Sequence, residues 1–213
     1  MILSVNDNEI EVGIDEAGRG CMSGRVYAAA VILPKEFKDD YYLNIKDSKK
    51  LSRKKRKEVR KYIEENAIDF GVGYSEPEEI DKINILNASL VSMHRALNQL
   101  SSNFDHIYVD GNKFKPYYDD EMEEILHTCI LQGDSKYYNI AAASILAKEN
   151  HDDYVKELVK YNPDFEKYGW LNNMCYGTKQ HINAIREYGL TDYHRKSYKI
   201  NLFSWTTTIK WFW

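Results

Sequence analysis

Three segments that read as strands each end on an acid. Residues 9–15 end at Asp15, with Glu16 directly behind it; residues 106–110 end at Asp110; residues 125–132 are followed by Asp134. Open α/β sheets build their sites at strand ends. Four carboxylates converging there would repel one another unless a cation intervened, and hard divalent cations such as Mg²⁺ take a few carboxylates together with water and phosphate oxygens. Two such ions about 3.5 to 4 Å apart serve in-line attack on a phosphodiester. For any one of these Asp residues a turn or capping role is the ordinary reading. The Asp15-Glu16 pair is harder to dismiss. Neighbours in a strand point to opposite faces, but Gly18, Arg19 and Gly20 follow at once, and a chain turning there lets both acids bend toward one point.

Competing chemistries lack their context. Gly18, Gly20 and Gly24 form a GxGxxxG after a strand, yet a dinucleotide fingerprint must open a helix, and here RVYAAAVIL follows, which is a strand. There is no GxxxxGK[ST] phosphate loop and no GxSxG nucleophile turn. The six His include no HExxH or i,i+4 pair that would hold zinc.

The elements that must position the acids follow from periodicity. Residues 9–15, 25–33 and 68–74 read as three successive strands, the last with Phe70, Val72 and Tyr74 alternating, which suggests an antiparallel meander. A basic helix runs from an N-cap at Ser52 to about residue 65. A short helix opens at Ser75-Glu76-Pro77, and an amphipathic one covers 84–100 through Leu86, Leu90, Met93 and Leu97. Strands at 106–110 and 125–132, a helical turn at 119–124 and a long helix at 139–161 complete the outline. Late strands alternating with helices point to parallel pairing. The expectation is an α/β fold, a mixed five-stranded sheet flanked by helices with a C-terminal helical segment, in one domain.

Composition bounds the rest. A 213-residue chain, 43% hydrophobic and 29% charged, suits one core. The longest apolar run, residues 26–33, stops at Pro34, far short of the roughly 20 residues a bilayer needs. Residues 1–13 lack the basic start and apolar stretch of a secretory signal, and Cys21, Cys129 and Cys175 have no CxxC spacing, which argues for a reducing, intracellular and cytoplasmic setting. The net charge of −4 taken alone points away from polynucleotides. It conceals segregation: ten Lys or Arg lie between Lys46 and Lys61 against Asp47 and Glu58, while 119–124 holds five acids, which read as a solvated helix N-terminus.

The motifs, taken together and in order, resemble the type 2 ribonuclease H, or ribonuclease HII, family. They are GIDEAGRG at 13–20, DSKKLS at 47–52, VDGN at 109–112, GDSK with IAAASILAK across 133–148, YGT at 176–178 and HRKSY at 194–198. The resemblance covers about residues 10–200 and implies a ribonuclease H-like fold. It implies a metal-dependent endonuclease that cuts the RNA strand of RNA-DNA hybrids and incises duplex DNA 5′ of an embedded ribonucleotide, leaving 3′-hydroxyl and 5′-phosphate ends. A water activated by one Mg²⁺ or Mn²⁺ would attack, and a second ion would stabilise the departing 3′ oxygen. The family's acidic tetrad maps onto Asp15, Glu16, Asp110 and Asp134, as both catalytic and metal-binding residues. Asp152 matches the family's helix motif and is given a structural role.

For substrate, the resemblance assigns Gly18, Arg19 and Gly20 to sensing the 2′-hydroxyl, which backbone groups reach only where no Cβ intrudes. Tyr176 corresponds to a tyrosine that packs on the next deoxyribose. Lys49 and Lys50 are candidate phosphate contacts, as are Lys179, Arg186, Arg195, Lys196 and Lys199, whereas Lys54 to Lys57 read as a solvated helix face. Residues 162–213 form a C-terminal extension that touches substrate, and the protein is expected to act as a monomer. Two departures stand out: LNNMC precedes Tyr176 where the family has a basic, glycine-ending run, so that Cys175 replaces a glycine, and the tail TTTIKWFW is unusually aromatic. The alternative from another class is a non-catalytic hybrid-binding module, which has no need to gather acids beside phosphate.

Overall fold

The computed structural model describes residues 1–199; the aromatic tail noted above lies outside the described residues. Its centre is a six-stranded sheet in the order β3-β2-β1-β4-β6-β5. The strands are β1 (Glu11–Ala17), β2 (Val26–Ile32), β3 (Asp69–Ser75), β4 (His106–Asp110), β5 (Tyr117–Tyr118) and β6 (Glu124–Ile130). β1, β2 and β3 form the antiparallel meander, and β1, β4 and β6 run parallel. The sixth strand is β5, a two-residue piece antiparallel to β6 and too short to show a period of two. Between them, 119–124 is not a helical turn: the Asp119 carboxylate accepts from the amides of Glu121 and Glu123 and closes a tight turn into β6.

Helices cover both faces. On one lie α1 (Arg53–Asn66) and α3 (Tyr138–Tyr161), on the other α2 (Pro77–Leu97). β2 reads VYAAAVI and is buried throughout, Ala29 and Val31 toward α3 and Ala28 and Ala30 toward α2. Its small side chains let both helix layers approach. At Gly13 of β1 a Cβ would lie only 2.2 Å from the Asn139 backbone of α3. The Asn139 amide then ties the layers, donating to Glu11 O and accepting from Leu33 N–H.

Two local expectations need revision, and one is met. In β3 the buried residues are Gly71, Gly73 and Ser75, while Phe70 and Tyr74 are exposed, because α2 lies almost directly on the strand backbone. The two helices read at 77 and 84 are both present within α2, joined at Asn84, whose φ of 65° and ψ of 163° break the helical path. Arg56 does not belong to a solvated face. It is 6% exposed and pairs with Glu149 and Asp152 of α3.

Beyond α3, the helices α4 (Trp170–Asn173) and α5 (Lys179–Tyr188) enclose a further apolar cluster with the last turns of α3 and with Cys21 and Met22. Among the described residues no helix is long and apolar enough to cross a membrane.

Candidate active site

The three parallel strands deliver their acids to one end of the sheet. Ile14 and Val109 are register partners, so the next residues, Asp15 and Asp110, sit side by side and leave from the same face. Gly13 on that face meets α3, which places both acids toward the α3 layer. β1 continues to Ala17, two residues past the expected end, and Glu16 therefore leaves from the opposite face. Asp134 arrives from the loop after β6. There Gln132 is left-handed at φ 56°, and Gly133 packs so tightly on Ile140 that a Cβ would lie 2.6 Å from it. The Gly133 amide donates to Asp110 Oδ1 at 2.7 Å, which couples the loop to the strand end.

The acids burden one another. Burial, followed by the charges of Glu16 and Asp110, holds the Asp15 carboxyl well above the usual carboxylate range, against hydrogen bonds from Ser144 and the Glu16 amide. Glu16 is raised by burial and opposed by Arg19, whose guanidinium lies 2.9 Å away. Asp134 is raised by burial and by Asp47 and Asp110, with Lys49 and Lys50 opposing. Lys49 Nζ stands 3.8 Å from Asp134 Oδ2 on a largely exposed side chain. Burial would lower the Lys49 ammonium, but the charges of Asp134, Asp47, Asp15 and Asp110 raise it above its ordinary value. Its turn, Ser48–Lys50, is capped by Asp47 and anchored where Ser48 Oγ meets Ser144 Oγ at 3.0 Å.

Among the described residues no three acidic, His or Cys side chains are grouped closely enough to hold a metal ion as they stand. Each acid is engaged by a partner of its own: the Glu16 amide, Arg19, the Gly133 amide and Lys49. The donor set nevertheless fits a hard divalent cation, being all carboxylate oxygen with three of four members pushed toward protonation by burial and mutual charge.

The predicted substrate residues are brought together. Gly18, at φ 91°, packs on His151, where a Cβ would lie 2.7 Å from the ring. Gly20 is exposed and faces the Tyr176 ring at 3.5 Å from its Cβ position, and Cys21 bridges to Tyr176. Tyr176 is 38% exposed, with Lys148 Nζ 5.4 Å from its ring centre. Cys175 has φ 65°, in the left-handed region, which explains why glycine suits that position.

Arg195 is not a phosphate contact. It is wholly buried, and its guanidinium donates to the carbonyls of Gly24, Arg19 and Arg25 and to the Tyr198 hydroxyl. This clamp shapes the Gly18-Arg19-Gly20 loop. Its signal was the HRKSY motif, but charge alone misassigned it. Lys179, Arg186 and Lys196 do lie on the surface. Asp152 has the structural role expected of it: it is buried and joins Arg56, Lys148 and His151, and against the cost of burial the hydrogen bonds and charges of His151 and Lys148 lower its pKa to about 2. Sequence reasoning read Arg56 as part of a solvated face and passed over the burial of His151, His181 and His194. They sit in ordinary contexts, and only their burial reveals them.

The sequence profile of the family described as Ribonuclease HII matches residues 12–208. A curated ribonuclease HII of Parabacteroides distasonis is 52% identical over 191 residues, 90% of each chain. In fold, the chain is similar to the ribonuclease H2 of Pyrococcus horikoshii, with TM-score 0.69 and 24% identity over 89% of this chain and 94% of that one. It is also similar to Bst-RNase HIII solved in complex with Mn²⁺, with TM-score 0.64 and 21% identity, covering 84% of this chain and 63% of that one.

Proposed function

The chain belongs to the ribonuclease HII family, a hydrolytic endoribonuclease family acting on RNA-DNA hybrids, and from that premise we propose that Asp15, Glu16, Asp110 and Asp134 form its catalytic centre. The single observation that carries this reading is the convergence of Asp15, Asp110 and Asp134 at one sheet end, where the charge of Asp110 helps to raise both Asp15 and Asp134. The substrates are the RNA strand of RNA-DNA hybrids and duplex DNA with an embedded ribonucleotide, cut on its 5′ side. Mg²⁺ or Mn²⁺ held by the four acids would activate the attacking water and neutralise the departing 3′ oxygen.

The chain's own residues do the selecting. Backbone groups of Gly18, Arg19 and Gly20 sense the 2′-hydroxyl, and the exposed Tyr176 ring beside Gly20 packs on the following deoxyribose. Lys49 and Lys50, on the turn that faces Asp134, meet the backbone phosphates. Residues 162–213 act as a substrate-contacting extension of one catalytic unit; the packing of 175–176 and 193–195 on the glycine loop supports this for the described part.

The test is incision of a DNA duplex carrying one ribonucleotide, with Mg²⁺ or Mn²⁺, beside an RNA-DNA hybrid and an all-DNA control. Both ribonucleotide-containing substrates should be cut and the control spared. Asp15→Asn and Asp110→Asn should each reduce cleavage by roughly a hundredfold or more. Normal cleavage by either variant would overturn the assignment. Binding without any incision would make the protein a hybrid-binding module instead.

A further inference from the structure

Tyr176 is tied to the interior by a buried chain of hydrogen bonds that the cleavage chemistry does not use. His181, His194 and Trp170 have no exposed surface. His181 Nδ1 lies 3.1 Å from the Tyr176 carbonyl oxygen. A carbonyl only accepts, so Nδ1 carries the proton and Nε2 is bare. That bare nitrogen accepts from Trp170 Nε1–H at 2.9 Å and lies 3.1 Å from His194 Nε2. His194 Nδ1 in turn accepts the Thr191 amide at 2.9 Å, so the His194 proton sits on Nε2 and points at His181. The partners thus allow one tautomer for each ring. Burial also lowers both pKa values, His194 to about 4 with the neighbouring His181 contributing, so both rings are neutral at pH 7.

This chain joins two segments that flank the glycine loop. On one side Cys21 bridges to Tyr176 and the Met22 amide donates to Cys175 O at 2.9 Å. On the other, Ser23 bridges to His194, the Gly24 amide donates to Tyr193 O at 2.8 Å, and the Arg195 amide donates to Met22 O at 2.9 Å. Residues 21–24 are therefore held between 175–176 and 193–195, and the contact between the imidazoles closes the arrangement by linking the flanks directly.

We infer that the His194–His181 chain positions Tyr176 against Gly20 and thereby sets the preference for an embedded ribonucleotide over a long hybrid. The inference rests on the proposed role of Tyr176 in packing on the sugar beyond the ribonucleotide. His181 and His194 are positioning residues and touch no substrate. A ring displaced by even 1 Å loses much of an orientation-dependent contribution to rate.

Two substitutions at one position separate positioning from mere stability. Asn places its amide nitrogen where Nδ1 stands, so His181→Asn keeps the donor to Tyr176 O but offers Trp170 and His194 nothing. Gln reaches the place of Nε2, so His181→Gln keeps a partner for Trp170 and loses the donor to Tyr176. Melting temperatures would be measured, with kcat and KM on the single-ribonucleotide duplex and on a long hybrid, alongside Tyr176→Ala. His181→Gln should be the more stable of the two yet lose about tenfold in the single-ribonucleotide to hybrid ratio, chiefly in kcat. His181→Asn should be less stable and keep the ratio within about threefold.

A ratio that simply follows stability would overturn the inference, as would an unchanged ratio in His181→Gln when Tyr176→Ala lowers it. If Tyr176→Ala itself leaves the ratio unchanged, the role of Tyr176 fails and the inference falls with it. In the unaltered protein, imidazole ¹⁵N shifts should show the proton on Nδ1 of His181 and on Nε2 of His194. The reverse tautomers would also overturn it, whether or not a variant folds.

Discussion

Asp15 is placed where a carboxylate is costly. Its carboxyl is buried beside Glu16 and Asp110, and the hydrogen bonds from Ser144 and the Glu16 amide do not offset that burial and like charge, which weaken the fold that carries it. Because its folded pKa is raised, the native protein holds a proton that the unfolded chain has released once pH exceeds the ordinary value of 3.8. Stability therefore falls as pH rises through the window from that value up to the raised pKa, and the penalty is complete above it. Asp15→Asn removes the charge, so the variant should melt higher than the parent at pH 7 in metal-free buffer while failing to cleave. Its advantage should shrink as pH falls toward 4, where the parent's Asp15 is itself neutral. Added Mn²⁺ should raise the parent's melting temperature and leave that of Asp15→Asn much less affected. Calorimetry across pH, with and without the ion, checks all three.

At the scale of elements, close approach and buried charge decide where the site stands. α2 lies on β3 because Gly71 and Gly73 have no side chain; a Cβ at Gly73 would be 2.3 Å from Ser92 O. Gly73→Ala should cost about 1 to 3 kcal/mol in urea unfolding, since two backbones must part. On the other face, Arg56 ties α1 to α3 through Glu149 Oε1 and Asp152, and the buried Glu149 Oε2 has no hydrogen-bond partner. Arg56→Ala leaves a buried carboxylate uncompensated and should cost about 3 to 5 kcal/mol. Replacing Arg56 and Glu149 together with Met should recover most of that loss, because an apolar pair of similar volume has no charge to desolvate. The same network reaches the proposed active site, as Asp152 holds both Lys148 beside Tyr176 and His151 beneath Gly18.

For the molecule as a whole, the net charge of −4 describes a sum and not a surface. Lys49 and Lys50 lie on the turn facing the acids, whereas Lys57 is on the exposed side of α1. In an Asp110→Asn background that binds without cutting, the logarithm of the affinity for an RNA-DNA hybrid should fall linearly with log salt. Lys49→Gln or Lys50→Gln should reduce that slope by about one, and Lys57→Gln should leave it unchanged. The placing of acids at strand ends and of glycines in the turn behind Asp15 was legible in the chain because it depends on residue type and local turn geometry, while Tyr176 was named through the family motif. Strand and helix positions were legible too, since hydrophobic period reports local backbone form. Three-dimensional packing alone decided that Arg195 and Arg56 are buried clamps, that β3 buries its glycines, and that His181 and His194 meet behind Tyr176. Charge and hydropathy are properties of single residues, but burial and tautomer are set by neighbours from distant parts of the chain. Only the folded protein brings those neighbours together.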